Sequence, residues 1–152
     1  MNKEEIIKSF NGAGVNVSEV KPSFGIAVDG SSRGGGKDCA YRGISLYENK
    51  ELFNVKIGEA TNNIAEFLGI VHSFGLMIKK DTYVDVYTDS NTAISWIKNR
   101  RTHSSKKHRL IDRAEKFLRG IPKDRYDKLV KGLYKWDTET WGEIPADFGY
   151  KR

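Results

Sequence analysis

Three carboxylates in this sequence stand where they could share a cation. Asp29 falls in Gly25-Ile26-Ala27-Val28-Asp29-Gly30-Ser31-Ser32, where an apolar run delivers one acid and then breaks at glycine. Asp89 falls in Val84-Asp85-Val86-Tyr87-Thr88-Asp89-Ser90, which does the same. Glu66 closes Thr61-Asn62-Asn63-Ile64-Ala65-Glu66, between the two. Each acid has an ordinary reading: Asp29 as a strand-end turn residue, Glu66 as a first-turn helix acid, Asp89 as an N-cap. Taken together, on two strands and a neighbouring helix, they form a set of hard oxygen donors suited to a divalent cation such as Mg²⁺.

The elements that must position them follow from hydrophobic period. Phe24–Val28 reads as a strand ending at Asp29. The segment 29–37 reads as a loop containing Gly34-Gly35-Gly36. Strands about Ala40–Tyr47 and Leu52–Glu59 flank a hairpin turn at Glu48-Asn49-Lys50-Glu51, giving an antiparallel meander. The period then becomes helical from Ile64 through Phe67, Leu68, Val71 and Phe74 to about Lys79, with Asn62 or Asn63 as cap and Glu66 in the first turn. Tyr83–Thr88 is a strand again, and a strand, helix and strand in this order favour a right-handed crossover and parallel pairing. Helices over Thr92–Ile97 (capped by Ser90 or Asp89) and Leu110–Leu118 follow, then a fifth strand over Lys128–Trp136. The order β-β-β-α-β-α-α-β predicts an α/β fold: a five-stranded mixed sheet flanked by helices.

Composition narrows the function. The chain has 152 residues, 30% of them charged, and a single cysteine, Cys39. It holds one domain over residues 23–152, preceded by an appendage over 1–22 with a short helix at Lys3–Phe10. No membrane span and no signal peptide are evident, an internal disulfide and a cysteine-based zinc site are excluded, and a cytoplasmic location is expected. The net charge is +6. Lys98, Arg100, Arg101, Lys106, Lys107 and Arg109, with His103 and His108, fall in one stretch without an acid, which points to a polyanion. His103 and His108 are expected at solvent or phosphate, Trp96, Trp136, Trp141 and Cys39 in packing, Asp85 exposed, and His72 packed or at the surface.

The element order, with acids in Val-Asp-Gly-Ser, Thr-Asn-Asn-x-x-Glu and Tyr-Thr-Asp-Ser, resembles type 1 ribonuclease H from about Phe24 to Phe148. The resemblance implies a ribonuclease H-like fold and an endonuclease that cleaves the RNA strand of RNA/DNA hybrids. It implies two Mg²⁺ ions, with Mn²⁺ as a substitute, and products bearing 5′-phosphate and 3′-hydroxyl ends. Matched by motif, the ligands and catalytic acids are Asp29, Glu66, Asp89 and, through Glu143-x-x-Ala146-Asp147, Asp147. Glu143 reads either as a solvated acid or as an auxiliary near the second metal. Phosphodiester hydrolysis must activate water and stabilise both the phosphorus centre and the leaving oxygen, and two Mg²⁺ ions about 4 Å apart do all three. Gly30 and Ser31 would present main-chain groups to the RNA, Asn62 and Asn63 would touch backbone and sugar, Thr61 a DNA phosphate, and Asn91 a sugar or base edge. Lys98, Arg100, Arg101, Lys106 and Lys107 would form a reduced basic handle. A monomer is expected, with the hybrid as partner and no membrane.

The sequence departs from the family's usual pattern in three respects. Asp137-Thr138-Glu139-Thr140-Trp141 contains no histidine, the chain stops five residues after Asp147, and the span between the Trp96 and Leu110 helices is too short for an extra helix plus handle. Two alternatives therefore stand beside the hybrid nuclease: a catalytically weak hybrid-binding module, and a DNA nuclease or junction resolvase on the same fold.

Overall fold

The computed structural model describes residues 20–148, so the expected Lys3–Phe10 helix and most of the 1–22 appendage lie outside the described residues. Five strands form one sheet in the order β3-β2-β1-β4-β5. They are β1 (Ile26–Arg33), β2 (Asp38–Ser45), β3 (Lys50–Gly58), β4 (Val86–Thr88) and β5 (Leu133–Lys135). β1, β2 and β3 are an antiparallel meander, whereas β4 runs parallel to both β1 and β5. The expected α/β mixed sheet of five strands is therefore present.

The turn between β2 and β3, expected at 48–51, falls at residues 46–49, and Asn49 takes its left-handed position (φ 51°), which a short polar side chain tolerates. β1 is longer than expected. It does not stop at Val28 but pairs with β2 through Arg33, with Asp29 opposite Arg42 and Gly30 opposite Tyr41. Small residues from Gly30 to Ser32 carry no β signal of their own; the partner strand holds them extended.

Helix α1 (Asn62–Lys80) covers one face of the sheet. Its middle is buried, because Ile64, Phe67, Leu68, Ile70, Val71 and Phe74 face Ile26, Val28, Tyr41 and Val86 in one core. Thr61, and not Asn62 or Asn63, caps it: the Thr61 hydroxyl accepts from the Ile64 amide at 3.2 Å. Against that face also pack α2 (Asn91–Lys98), α3 (Arg109–Arg119) and α4 (Lys123–Lys131). Helix α4 corrects the expected strand over Lys128–Trp136. Tyr126 and Leu129 bury at helical spacing, and only Leu133–Lys135, beyond Gly132, pairs with β4.

The opposite face carries a smaller core of Ala27, Ile44, Tyr87, Trp136, Ile144 and Ala146. The chain after β5 supplies half of it: α5 (Thr138–Trp141) and a strap over residues 142–148 lie across this face. Trp136 is wholly buried, with its indole N–H donating to the Gly142 carbonyl at 2.9 Å, and it packs edge-on against Trp141. Cys39 is buried in β2, as expected. His72 stacks on Phe53 at 4.0 Å and pairs with the Tyr41 hydroxyl at 2.9 Å.

Candidate metal centre

The acids meet where the sheet forks. β1 and β4 are neighbours in the sheet, but their parallel pairing is confined to Ile26–Val86 and Ala27–Tyr87. Asp29 and Asp89 each lie two residues past the last of these rungs, so both backbones deliver an acid into the opening. α1 brings the third. Oxygens of Asp29, Glu66 and Asp89 all lie within 4.8 Å of one another.

Glu66 reaches the fork because β1 and α1 touch backbone to backbone. A Cβ on Gly30 would stand 2.7 Å from Ala65 Cβ and 2.8 Å from the Glu66 amide nitrogen, so glycine alone fits there. The Gly30 amide donates to the Glu66 carboxylate, and the Thr88 hydroxyl donates to Glu66 Oε2 at 3.3 Å. Glu66 lies in the second turn of α1, not the first as expected, since the helix begins at Asn62. Burial dominates its titration. Desolvation, and then the charge of Asp89, push its pKa up to about 8 against the opposing hydrogen bonds from Gly30 and Thr88. Burial also raises Asp89, while a hydrogen bond with Glu66 and the charge of Lys135 act in the opposite direction. Asp29 is fully buried. Buried carboxylates this close, held against their own charge, form a set whose charge a divalent cation would neutralise.

Asp147 is brought to the same end of the sheet but not into the group of three. Its charge raises Asp89, which places it within electrostatic reach. It is carried by the strap, where the Asp147 amide donates to the Ile144 carbonyl at 2.8 Å and Ile144 and Ala146 are pegged into the second core. Arg42 of β2 ties the strap down: Nε donates to the Ala146 carbonyl at 2.7 Å and Nη2 to the Asp147 carbonyl at 2.9 Å. Glu143 is exposed on the strap, outside the acid group.

The other expected site residues divide. Asn62 lies one turn before Glu66 on the same face of α1, and its Oδ1 is buried with no hydrogen-bond partner. Asn63 is exposed, as is Asn91 at the start of α2. The Thr61 side chain is spent on the cap, Ser31 is buried within β1, and the Gly30 amide is spent on Glu66.

The basic stretch is less uniform than its sequence. Lys98, Arg101 and Lys107 are exposed. Arg100 turns inward at a left-handed φ of 54°, donates through Nη1 to the Leu118 and Ile121 carbonyls at 2.9 and 2.8 Å, and lies 3.9 Å over the Tyr126 ring. Lys106 pairs with Glu59 at 3.0 Å. His108, expected at solvent or phosphate, is instead structural: Nδ1 accepts from the Leu110 amide to cap α3, and Nε2 bonds the Ile57 carbonyl at 2.8 Å. Trp96 belongs to the core. Sequence reasoning missed Arg42 because its partners lie more than a hundred residues away.

A mixed sheet ordered β3-β2-β1-β4-β5, with acids at the β1–β4 fork and on the helix crossing it, is the ribonuclease H-like architecture. The chain belongs to the RNase H family, whose sequence model matches residues 21–141. Solved structures of that class are similar at low identity. LC11-RNase H1, isolated from compost, is 21% identical, with 73% of this chain and 80% of that one covered and a TM-score of 0.45. The N-terminal RNase H domain of a Mycobacterium tuberculosis protein is 20% identical, covering 72% and 76%, with a TM-score of 0.41. RNase H1 from Halobacterium salinarum NRC-1 is 20% identical, covering 73% and 79%, with a TM-score of 0.37. Asp29, Glu66 and Asp89 lie inside the matched span; Asp147 lies beyond it. Among the described residues no helix is long and apolar enough to cross a membrane.

Proposed function

We propose that this chain is an endoribonuclease that hydrolyses the RNA strand of RNA/DNA hybrids and leaves 5′-phosphate and 3′-hydroxyl ends. The observation that carries the reading is the meeting of Asp29, Glu66 and Asp89 within 4.8 Å, in a chain of the RNase H family. The donor set fits Mg²⁺: all oxygen, with no thiol or imidazole among the three. Asp29, Glu66 and Asp89, joined by Asp147, would hold two ions, with Mn²⁺ as a substitute. When bound, the ions supply Lewis acidity at the scissile phosphate and make water a stronger nucleophile.

The chain's own residues do the rest. The Gly30 amide and Thr88 hydroxyl fix the Glu66 carboxylate, so that it meets the substrate already oriented. Burial raises the Glu66 pKa, so a bound cation would offset the cost of its buried charge. Asn62, half-buried one turn before Glu66, would contact the backbone and sugar of the hybrid. Lys98, Arg101 and Lys107 neutralise phosphates, and Asn63 and Asn91 line the approach. Residues 23–152 are the catalytic unit.

The deciding experiment is cleavage of a labelled RNA/DNA hybrid with and without Mg²⁺, beside single-stranded RNA, double-stranded RNA and double-stranded DNA of the same sequence. Cutting confined to the RNA of the hybrid and lost with EDTA is the expected result. A folded protein that binds the hybrid without cutting it in Mg²⁺ or Mn²⁺ would overturn the reading, as would cutting of duplex DNA.

A further inference from the structure

We infer that Arg42 is a positioning residue for Asp147, an inference that rests on the hybrid-nuclease reading. Asp29 lies in β1, Glu66 in α1 and Asp89 directly after β4, whereas Asp147 is carried by no strand or long helix. It hangs on a strap whose backbone is fixed at two kinds of anchor. Ile144 and Ala146 are apolar pegs, fully buried beneath the sheet. The second anchor is the Arg42 guanidinium, which holds the Ala146 and Asp147 carbonyls together at 2.7 and 2.9 Å. Both bonds are short and charge-assisted, and a planar fork sets direction as well as distance. The same side chain is braced on both flanks, by Glu51 of β3 at 3.6 Å and by the Phe148 ring 5.3 Å from its centre.

Arg42 is also tied to the other acids. It stands opposite Asp29 in the β1–β2 register, so the strand that fixes Asp29 is paired with the residue that fixes Asp147. Movement of β2 would shift both acids together. Arg42 acts through the strap and not on the reacting atoms: it sets where Asp147 stands relative to Asp89. Lysine cannot replace it fully, since one ammonium cannot present the same fork to two carbonyls.

The test compares the parent, Arg42→Ala and Arg42→Lys by amide hydrogen exchange of the whole chain, and by initial cleavage rate against Mg²⁺ concentration. Exchange at the Asp147 amide should rise at least about tenfold in Arg42→Ala, the effect expected from losing a charge-assisted hydrogen bond, while Val28 and Phe67 in the core keep their protection. The Mg²⁺ midpoint should rise with KM for the hybrid unchanged, and Arg42→Lys should recover part of both effects. Unchanged exchange at Asp147 would overturn the inference, as would a uniform rise across the core. Raised exchange at Asp147 with the parent's Mg²⁺ midpoint and rate would also overturn it. Should the parent fail to cut hybrid at all, the nuclease reading falls, and the exchange profile still decides whether Arg42 holds the strap.

Discussion

One methyl group added at Gly30 should unseat Glu66. In Gly30→Ala the new Cβ would stand 2.7 Å from Ala65 Cβ, 2.8 Å from the Glu66 amide nitrogen and 3.1 Å from the Ala65 carbonyl carbon. Ordinary contact begins at 3.4 Å, so the first turns of α1 must retreat by about 0.6–0.7 Å. Two of the three obstructing atoms are helix backbone and have no rotamer to escape into. Overpacking of this kind costs about 1–3 kcal/mol. At about 2 kcal/mol, a domain of this size loses roughly 6 °C of melting temperature. Activity should suffer more than stability. Retreat lengthens the bond from the Gly30 amide to the Glu66 carboxylate, and misplacing a catalytic group by about 1 Å costs on the order of 10²-fold in rate. The assay is urea unfolding beside single-turnover cleavage of the hybrid. Adding Ala65→Gly leaves the Glu66 nitrogen and the Ala65 carbonyl carbon in the way and puts a glycine inside α1, so the double variant should regain neither stability nor rate. A Gly30→Ala protein that melts and cuts like the parent would refute the close seating of β1 on α1.

Other outcomes follow from the same structure. Asp29→Asn and Asp89→Asn should abolish hybrid cleavage with unchanged circular dichroism. In EDTA, Asp89→Asn should melt no lower than the parent, because the charge it removes is held against burial and the charge of Asp147. Arg100→Ala strands two carbonyls and uncovers Tyr126, and should cost about 2 kcal/mol by urea unfolding. Lys107→Ala should leave unfolding alone and flatten the log–log salt dependence of hybrid binding by about 1. Burial lowers the His72 pKa below its ordinary 6.5. The unfolded chain therefore takes up that proton first, so stability should fall as pH drops below 6.5, and His72→Gln should reduce that slope.

The sequence carried the acids and their supporting elements well, because each acid ends a local pattern that needs no distant partner. Alternation marks β4 up to Thr88, and helical period marks α1 around Glu66. Errors arose where tertiary contacts decide. Gly30-Ser31-Ser32 extends β1 only because β2 lies beside it. Leu129-Val130 and Leu133-Tyr134 look like one apolar run, although Gly132 divides a helix from a strand. The basic stretch looked uniform because charge is visible in a sequence and a partner is not. Arg100 is committed to carbonyls at Leu118 and Ile121, and His108 to Ile57. The link from Arg42 to Ala146 and Asp147 spans most of the chain and leaves no local trace.

The fork between β1 and β4 also sets an order of events in folding. The meander β1–β3 and α1 follow one another along the chain, whereas the rung from Ile26 to Val86 joins residues about sixty apart. Loop closure over that distance has to be met before the pairing returns any energy, so β4 should dock late. A nascent chain that has reached only α1 therefore holds Asp29 and Glu66 but not Asp89, and lacks a complete cation site. On the proposed reading, ion affinity would arise with the most non-local contact in the sheet and report that it has formed. By mass action, a bound cation would then stabilise the step of assembly that chain entropy opposes most.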